Sequence, residues 1–290
     1  MNTSQRWPLH PAPVEGEALS AWLSRVADCY EMDLMDLLLY EWGKEQILDL
    51  DIRPPNGFLE TIAGRSGVDI DTLRCMTMAG WVPWLLDSFD LEDDAFNCYV
   101  NQFSVLLPPQ KRPEKTIPGW RAWLPRKNLN RACPLCIGEA KGKPIFKMMW
   151  QFPLFISCPI HGCWLESFIG RPGTFYGWEQ KGLKPRPATP AIKKMDLRTG
   201  QAFTDGYVVL PARKVHAGVW FRLLRTLIDE LNVPVSYWGA QSRTLRLIWE
   251  RCRHPVRAGQ THWYPFELFD ASIQLQFLEA AGSAIQESGP

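Results

Sequence analysis

Two short cysteine motifs constrain the fold of this chain more than any other feature. Cys133 and Cys136 lie in the motif CPLC, and Cys158 and His161 lie in the motif CPIH, with 21 residues between the pairs. Two ligands separated by two residues can hold one ion only if the chain turns sharply between them, and the neighbouring prolines and glycines favour such turns. A Cys3His set suits Zn²⁺ closed on all four sides. The motifs therefore predict one structural zinc ion.

A closed zinc site argues against an enzyme, because it leaves no position for water or substrate. The two pairs have zinc-ribbon spacing, which favours a metal site over free core cysteines. A disulfide framework is disfavoured because the N-terminus lacks the apolar stretch of a secretory signal. A zinc deaminase needs His-x-Glu upstream, whereas His10 is followed by Pro-Ala. Cys163 remains an alternative to His161 as the fourth ligand.

The length of 290 residues and the 46% hydrophobic content suffice for two or three packed domains. No run of 18 apolar residues is present, so we expect no membrane segment and a reducing cytoplasmic setting.

The near-zero net charge conceals an uneven distribution of charge along the chain. Residues 1–100 carry 18 acidic and 6 basic side chains, a net of −12, whereas residues 101–290 carry 13 acidic and 26 basic ones, a net of +13. A basic region of this kind favours a nucleic-acid partner. The alternative is that the two parts neutralise each other within the molecule.

The N-terminal region reads as two helical hairpins. Apolar residues over 17–30 recur at helical spacing, and Trp22 is expected in the hairpin core. Asp33 is a plausible N-cap for a second helix that includes Asp36 and ends near Gly43.

The second hairpin has the offsets of a helix-turn-helix: a small Ala63, a turn at Gly67 and a shared core that includes Leu73. Its second helix carries two aspartates and one arginine, the wrong sign for phosphate. We therefore expect these helices to dock a protein rather than to read a DNA groove.

The central region combines a connector with the metal motifs. Residues 108–130 are Pro-rich and basic. This composition is typical of a solvated linker or of a phosphate-binding segment, which would include Arg121, Arg126 and Lys127. The apolar runs 145–150 and 154–157 predict the strands of a zinc ribbon, and residues 171–212 predict loops with short strands.

The C-terminal region is predicted to be helical and basic. Residues 219–231 have one apolar face, with Arg222 and Arg225 placed off it. A further helix near 242–254 presents Arg243 and Arg246 outward, either to a nucleic-acid backbone or to solvent.

These observations predict a mainly α fold with a small β zinc ribbon. The expected segments are a helix-turn-helix-like N-terminal domain, a connector, a zinc-ribbon module with loops and a basic helical C-terminal domain: 1–107, 108–130, 131–212 and 213–290.

The assembled motifs resemble the TniQ family, the target-selection proteins of Tn7-like and other TniQ-containing bacterial transposons. The resemblance rests on GEALSAWLSR (Gly16–Arg25), on FLETIAGRSGVDIDTLRCMT (Phe58–Thr77) and on the CPLC and CPIHG motifs with Trp150 between them. It covers residues 7 to about 170.

The resemblance implies a bacterial, cytoplasmic, non-enzymatic adaptor in DNA transposition and recombination. Such proteins link a target-marking element, either a DNA site or a CRISPR effector complex, to an AAA+ transposition ATPase of the TnsC/TniB-like kind. The chain has no Gly-rich phosphate loop followed by Lys-Ser/Thr, so it is not itself the ATPase. The acidic helices are the expected ATPase-docking end. The expected partner-binding residues are Trp7, which lies in a Pro-flanked, extended segment, together with Asp33 and Asp36.

Two other classes stay open from sequence alone. One is a zinc-ribbon, helix-turn-helix transcription regulator that binds an operator by itself. The other is a metalloenzyme in which water replaces one zinc ligand. Whether the protein forms a homodimer is also left open.

Overall fold

A computed structural model describes most of the chain as two compact units, each assembled from segments distant in sequence. The first unit takes residues 1–82, 128–152 and 163–186, and the second takes 83–127, 153–162 and 187–290. The described residues are 6–43, 50–52, 54–78, 129–171, 173–234, 239, 242–254, 266 and 269–287. The predicted boundaries at 107, 130 and 212 stay a prediction, because the chain around the first of them lies outside these ranges.

The first unit begins with two helical hairpins. Their helices are α1 (Leu19–Asp28), α2 (Leu34–Trp42), α3 (Phe58–Ser66) and α4 (Ile70–Cys75). The Asp33 side chain accepts a hydrogen bond from the Asp36 amide at 2.8 Å, and α2 ends at Gly43 with φ of 72°. The predicted cap and the predicted end of this helix are therefore both confirmed.

The core of the hairpins is built around α1, which is buried on almost every side. Trp22 is fully buried there, as predicted, and Leu73 of α4 is also fully buried in the same cluster. Ala63 and Val68 pack against it, and α3 ends at Gly67 with φ of 73°. The shared core predicted from the helix-turn-helix offsets is confirmed.

The first unit also contains a small antiparallel sheet. It consists of β1 (Arg131–Ala132), β2 (Glu166–Arg171) and β3 (Thr174–Trp178), in the order β1-β2-β3. A short helix α5 (Pro134–Gly138) follows β1, and a 3₁₀ turn spans Met148–Gln151. Helices with small antiparallel sheets are thus the observed fold class.

The strands predicted over 145–150 and 154–157 are wrong. The backbone around Lys147 instead pairs with the N-terminal segment: the Ala18 amide donates to the Phe146 carbonyl at 2.8 Å, and the Met148 amide donates to the Gly16 carbonyl at 2.8 Å. At 154–157 the partner is a side chain, because the Ser157 amide donates to the carboxylate of Asp196 at 2.6 Å. Apolar composition indicated burial correctly but did not identify the hydrogen-bond partners.

The second unit is helical with one hairpin of strands. Its elements are α6 (Pro190–Asp205), β4 (Tyr207–Val209), β5 (Lys214–His216), α7 (Ala217–Leu231), α8 (Ser242–Arg251) and α9 (Ala271–Glu287). Trp220, Trp249 and Phe277 are fully buried in this unit, and the rings of the last two meet at 5.4 Å.

Two predictions for this unit need correction. Residues 190–205 form a 16-residue helix where loops were expected, because Thr189 caps it, Pro190 starts it and Gly206 ends it. Arg225, placed off the apolar face by the sequence, is 1% exposed and lies 3.5 Å from the carboxylate of Asp229, one helical turn on. Arg222 is exposed as expected.

Candidate metal centre and partner surfaces

The first pair of metal ligands is held by one turn of helix. Cys133 is the N-cap of α5, and Pro134 occupies the first helical position, where its missing N–H costs nothing. The Ile137 amide donates to the Cys133 carbonyl at 3.0 Å, and the Cys136 amide donates to the Cys133 sulfur at 3.4 Å. The CPLC motif therefore forms a closed turn around the first sulfur.

The second pair is held by a tight turn that requires glycine. The Gly162 amide donates to the Cys158 carbonyl at 2.7 Å, and Gly162 has φ of 60°. A Cβ added there would lie 2.9 Å from Cε of Lys193. The left-handed backbone conformation thus favours glycine directly after His161, whereas the end of the Lys193 side chain could move aside.

The structure brings the four predicted ligands into one cluster. The ligand atoms of Cys133, Cys136, Cys158 and His161 all lie within 4.8 Å of one another. The Cys158 sulfur and His161 Nδ1 are 3.6 Å apart. Standard zinc–sulfur and zinc–nitrogen bonds at a tetrahedral angle place these atoms about 3.6 Å apart. The four residues therefore fit a single four-coordinate metal ion.

Cys163 lies beside the cluster. Its sulfur is 3.5 Å from the sulfur of Cys133, and both side chains are buried. The four mutually close ligand atoms nevertheless include His161 and not Cys163.

Asp196 fastens the segment that leads into the second ligand pair. Its carboxylate is fully buried on α6 and accepts hydrogen bonds from the amide and the hydroxyl of Ser157, both at 2.6 Å, and from the Ile156 amide at 3.3 Å. Since Ser157 directly precedes Cys158, this carboxylate fixes the backbone that carries the second ligand pair. Sequence reasoning missed Asp196, because nothing in the spacing of the motifs indicates a residue so far along the chain.

Two arginines brace the sheet of the first unit. Arg131 donates from Nη2 to the carbonyls of Trp150 at 3.2 Å and Phe152 at 3.1 Å. Arg186 forms two hydrogen bonds with the carboxylate of Glu166, at 2.8 and 3.0 Å, and this partner raises the pKa of Arg186. Arg131, two residues before Cys133, thus holds backbone next to the first metal motif, whereas the Arg186–Glu166 contact is a charged pair between two side chains.

The predicted docking helix α2 presents an exposed face that is both acidic and apolar. Asp33 and Asp36 are exposed, as are Leu39 (46%) and Tyr40 (78%). Asp36, Leu39 and Tyr40 have i, i+3 and i+4 spacing, which places them on one side of the helix.

Trp7 is buried in the core of the first unit, which corrects the expectation that its side chain reaches a partner from an extended segment. It is 8% exposed, and its ring lies 6.3 Å from that of Trp22. Its indole N–H donates to Glu41 at 2.8 Å, and its amide donates to the Arg65 carbonyl at 2.7 Å. The indole N–H and apolar ring are both satisfied within the first unit.

The predicted nucleic-acid residues divide into two groups. Arg243 and Arg246 are exposed on α8, as the sequence indicated. Arg121, Arg126 and Lys127 lie outside the described residues. Among the residues that the structure describes, no helix combines the length and the hydropathy that a membrane span requires.

Comparison with known proteins decides the family. The TniQ family model matches residues 8–165, more than half of the chain, including the hairpins and all four metal ligands. The chain belongs to the TniQ family. TniQ proteins are non-catalytic proteins associated with DNA transposition, and the resemblance noted from the motifs is thereby confirmed. No curated protein and no solved structure matches the chain.

Proposed function

We propose that this TniQ protein is a non-enzymatic adaptor that links a target-marking element to an AAA+ transposition ATPase. The observation that carries the proposal is the family match over residues 8–165. The uneven charge supports it, since an acidic N-terminal part and a basic C-terminal part suit two different partners.

The ATPase docks on the exposed face of α2. Tyr40 is an aromatic side chain that is 78% exposed, next to the exposed Leu39, and aromatic side chains of this kind often anchor protein interfaces. Asp33 and Asp36 on the same helix add negative charge that would steer a basic partner surface onto these side chains.

This docking face is tested by binding of the purified neighbouring ATPase to Tyr40→Ala and Asp36→Arg variants. Both residues are exposed, so the fold should persist, and we expect each change to weaken binding about tenfold. Tyr176→Ala is the matched control, because Tyr176 is also an exposed tyrosine (64%) and lies on β3 of the same unit. Equal binding by all three variants would place the docking surface elsewhere.

The metal cluster is proposed to hold one structural Zn²⁺. Three sulfurs and one imidazole are the donors of closed zinc sites, and two of the four side chains are buried. When bound, the ion would supply cross-links between distant parts of the chain rather than chemistry.

The basic residues are proposed to contact nucleic-acid backbone through Arg243 and Arg246, with Arg121, Arg126 and Lys127 as further contacts. Affinity for target DNA or for an RNA-containing complex should then fall steeply with salt. The Arg243→Ala/Arg246→Ala double variant should flatten this dependence, whereas Arg222→Ala on α7 serves as the exposed-arginine control. An unchanged salt slope in the double variant would remove α8 from the interface.

The alternative of an operator-binding regulator has little support at its would-be recognition helix. α4 has only six residues, and its single arginine, Arg74, pairs with Asp71 at 3.0 Å. The pair leaves no net positive charge on this helix to meet phosphate.

A further inference from the structure

An aliphatic groove opens on the second unit, between the β4–β5 turn and the helices α7, α8 and α9. Its volume is about 540 Å³. The floor is formed by leucines and isoleucines from all three helices: Leu223, Leu227, Leu247, Ile248 and Ile285. The groove lies wholly within residues 210–285, beyond the stretch that the family model matches.

The face of α8 that lines the groove is not the face that packs into the core. Leu245 and Trp249 already anchor this helix in the core, at 3% and 0% exposure. Leu247 and Ile248 form a second apolar stripe beside them, and Leu247 is 49% exposed. A helix with two adjacent apolar faces has one face to offer to a partner.

The charges at the groove have one sign. The charged side chains among its described lining residues are both arginines, Arg213 from the β4–β5 turn and Arg251 from α8. The neighbouring face of α8 adds Arg243 and Arg246, with Glu250 as the one exposed acid among its described residues. An occupant should therefore combine aliphatic side chains with carboxylates.

A nucleic acid fits this surface poorly. Single strands bind by stacking bases on aromatic side chains, and the described lining of the groove contains none. Phosphate contacts need charge but have no use for a floor of leucine and isoleucine. An amphipathic helix, in contrast, places aliphatic side chains at i, i+3, i+4 and i+7 into such a groove.

We propose that this groove binds an acidic amphipathic helix of a protein partner. Leucine-like side chains of that helix fill the floor beside Leu247, and its glutamates or aspartates face Arg213. The proposal does not depend on the docking face of α2, because it rests on the groove residues Leu247, Ile248 and Arg213. Arg243 and Arg246 lie outside the groove lining, so the proposed nucleic-acid contact can fail without affecting it.

The probe is a labelled synthetic peptide of about 18 residues, above the length at which isolated helices are marginal. It carries Leu at i, i+3, i+4 and i+7 spacing and Glu on its other face. Two control peptides are a scrambled sequence of equal composition and a version with Lys in place of Glu. Binding to the full-length protein is followed by fluorescence anisotropy.

We expect saturable binding of the patterned Glu peptide alone. Leu247→Asp should weaken it about tenfold, because a half-exposed leucine would no longer pack on the peptide. Leu197→Asp is the matched control: Leu197 is 54% exposed on α6 of the same unit and does not line the groove. Arg213→Glu should weaken the Glu peptide and strengthen the Lys peptide.

Several outcomes overturn the proposal. Equal affinity for the scrambled peptide, or equal losses in Leu247→Asp and Leu197→Asp, would show that the groove does not recognise a patterned helix. Absence of saturable binding by the Glu peptide would do the same. If a labelled DNA duplex or single strand displaces the Glu peptide, and Leu247→Asp abolishes DNA binding whereas Arg243→Ala/Arg246→Ala does not, the groove belongs to nucleic acid instead.

Discussion

Asp51 is a buried carboxyl whose surroundings predict how the stability of the fold depends on pH. It accepts hydrogen bonds from the Ser20 amide, the Ser20 hydroxyl and Gln151 Nε2, each at 2.6 Å. Burial raises the pKa of Asp51, and the hydrogen bonds from Ser20 and Gln151 oppose this shift without cancelling it. The folded protein therefore binds this proton more tightly than the unfolded chain does.

The sign of the resulting pH dependence follows from linkage. The pKa of Asp51 is higher in the folded protein than in the unfolded chain. Below the unfolded-state pKa the carboxyl is protonated in both states and its contribution to the stability of the fold is fully present. This contribution is lost as the pH rises through the folded-state pKa. Asp51→Asn mimics the protonated form, so its free energy of unfolding should vary less with pH across that window. Denaturant unfolding at a series of pH values measures the difference.

Two results separate this account from a simple loss of contacts. Asp51→Ala removes the hydrogen bonds and should lower stability at every pH, because the buried Ser20 amide is left unsatisfied. If Asp51→Asn instead keeps the full pH dependence of the native protein, the titrating group lies elsewhere.

At the scale of elements, Asp196 shows how a side chain on a helix can hold the backbone next to a pair of metal ligands. Its carboxylate on α6 holds Ile156 and Ser157 immediately before the second ligand pair. Removing such an outer partner typically lowers metal affinity about 10–100-fold. We expect Asp196→Ala to do so in a chelator-competition titration, with Asp196→Asn intermediate because one oxygen acceptor remains.

Asp205 provides the control for this prediction. It lies at the exposed end of the same helix, so Asp205→Ala should leave metal affinity unchanged. Equal zinc affinity in Asp196→Ala and the native protein would show that the ligand turn holds its shape without this carboxylate.

Elements whose signals are local were predictable from sequence. The cap at Asp33, the end at Gly43 and the turn of CPLC each depend on residues within one helical turn. The helix α6 was missed because Asp196, Arg198 and Thr199 are buried in it, so polar residues interrupt its apolar stripe. The burial of Arg198 is deep enough to lower its pKa.

Contacts between residues that are distant in sequence could not be predicted from the sequence. Trp7 reads as a free aromatic group in a Pro-flanked segment, yet Glu41 and Arg65 bind it. The stretch 154–157 is apolar and was therefore predicted to be a strand. In the structure the Ser157 amide instead donates to the carboxylate of Asp196 on another element. Neither partner can be chosen without knowing how the chain folds back.

At the scale of the whole molecule, one ion held by the four ligands would join Cys133 and Cys136 to Cys158 and His161. Loss of a ligand should therefore cost much of the folding free energy, since such binding is worth roughly 10 kcal/mol or more. We expect Cys136→Ser to yield metal-free, protease-sensitive protein, and Cys75→Ser, at an exposed cysteine of α4, to keep one zinc per chain by elemental analysis.

The same zinc measurement on variants of Cys163 and His161 identifies the fourth ligand. Cys163→Ser should retain one zinc, and His161→Ala should lose affinity, because the four close ligand atoms include His161. The opposite result would make Cys163 the fourth ligand. Well-folded native protein without stoichiometric metal would contradict the metal site altogether.

An adaptor must bind two partners at once, so the decisive experiment is recruitment of the AAA+ ATPase to a marked target. The target-marking element is immobilised with its DNA, and retained ATPase is measured with and without this protein. We expect the ATPase to be retained only when the protein is present, and Tyr40→Ala to reduce retention although the variant still binds the target. Retention of the ATPase without the protein, or no retention with it, would contradict the adaptor role.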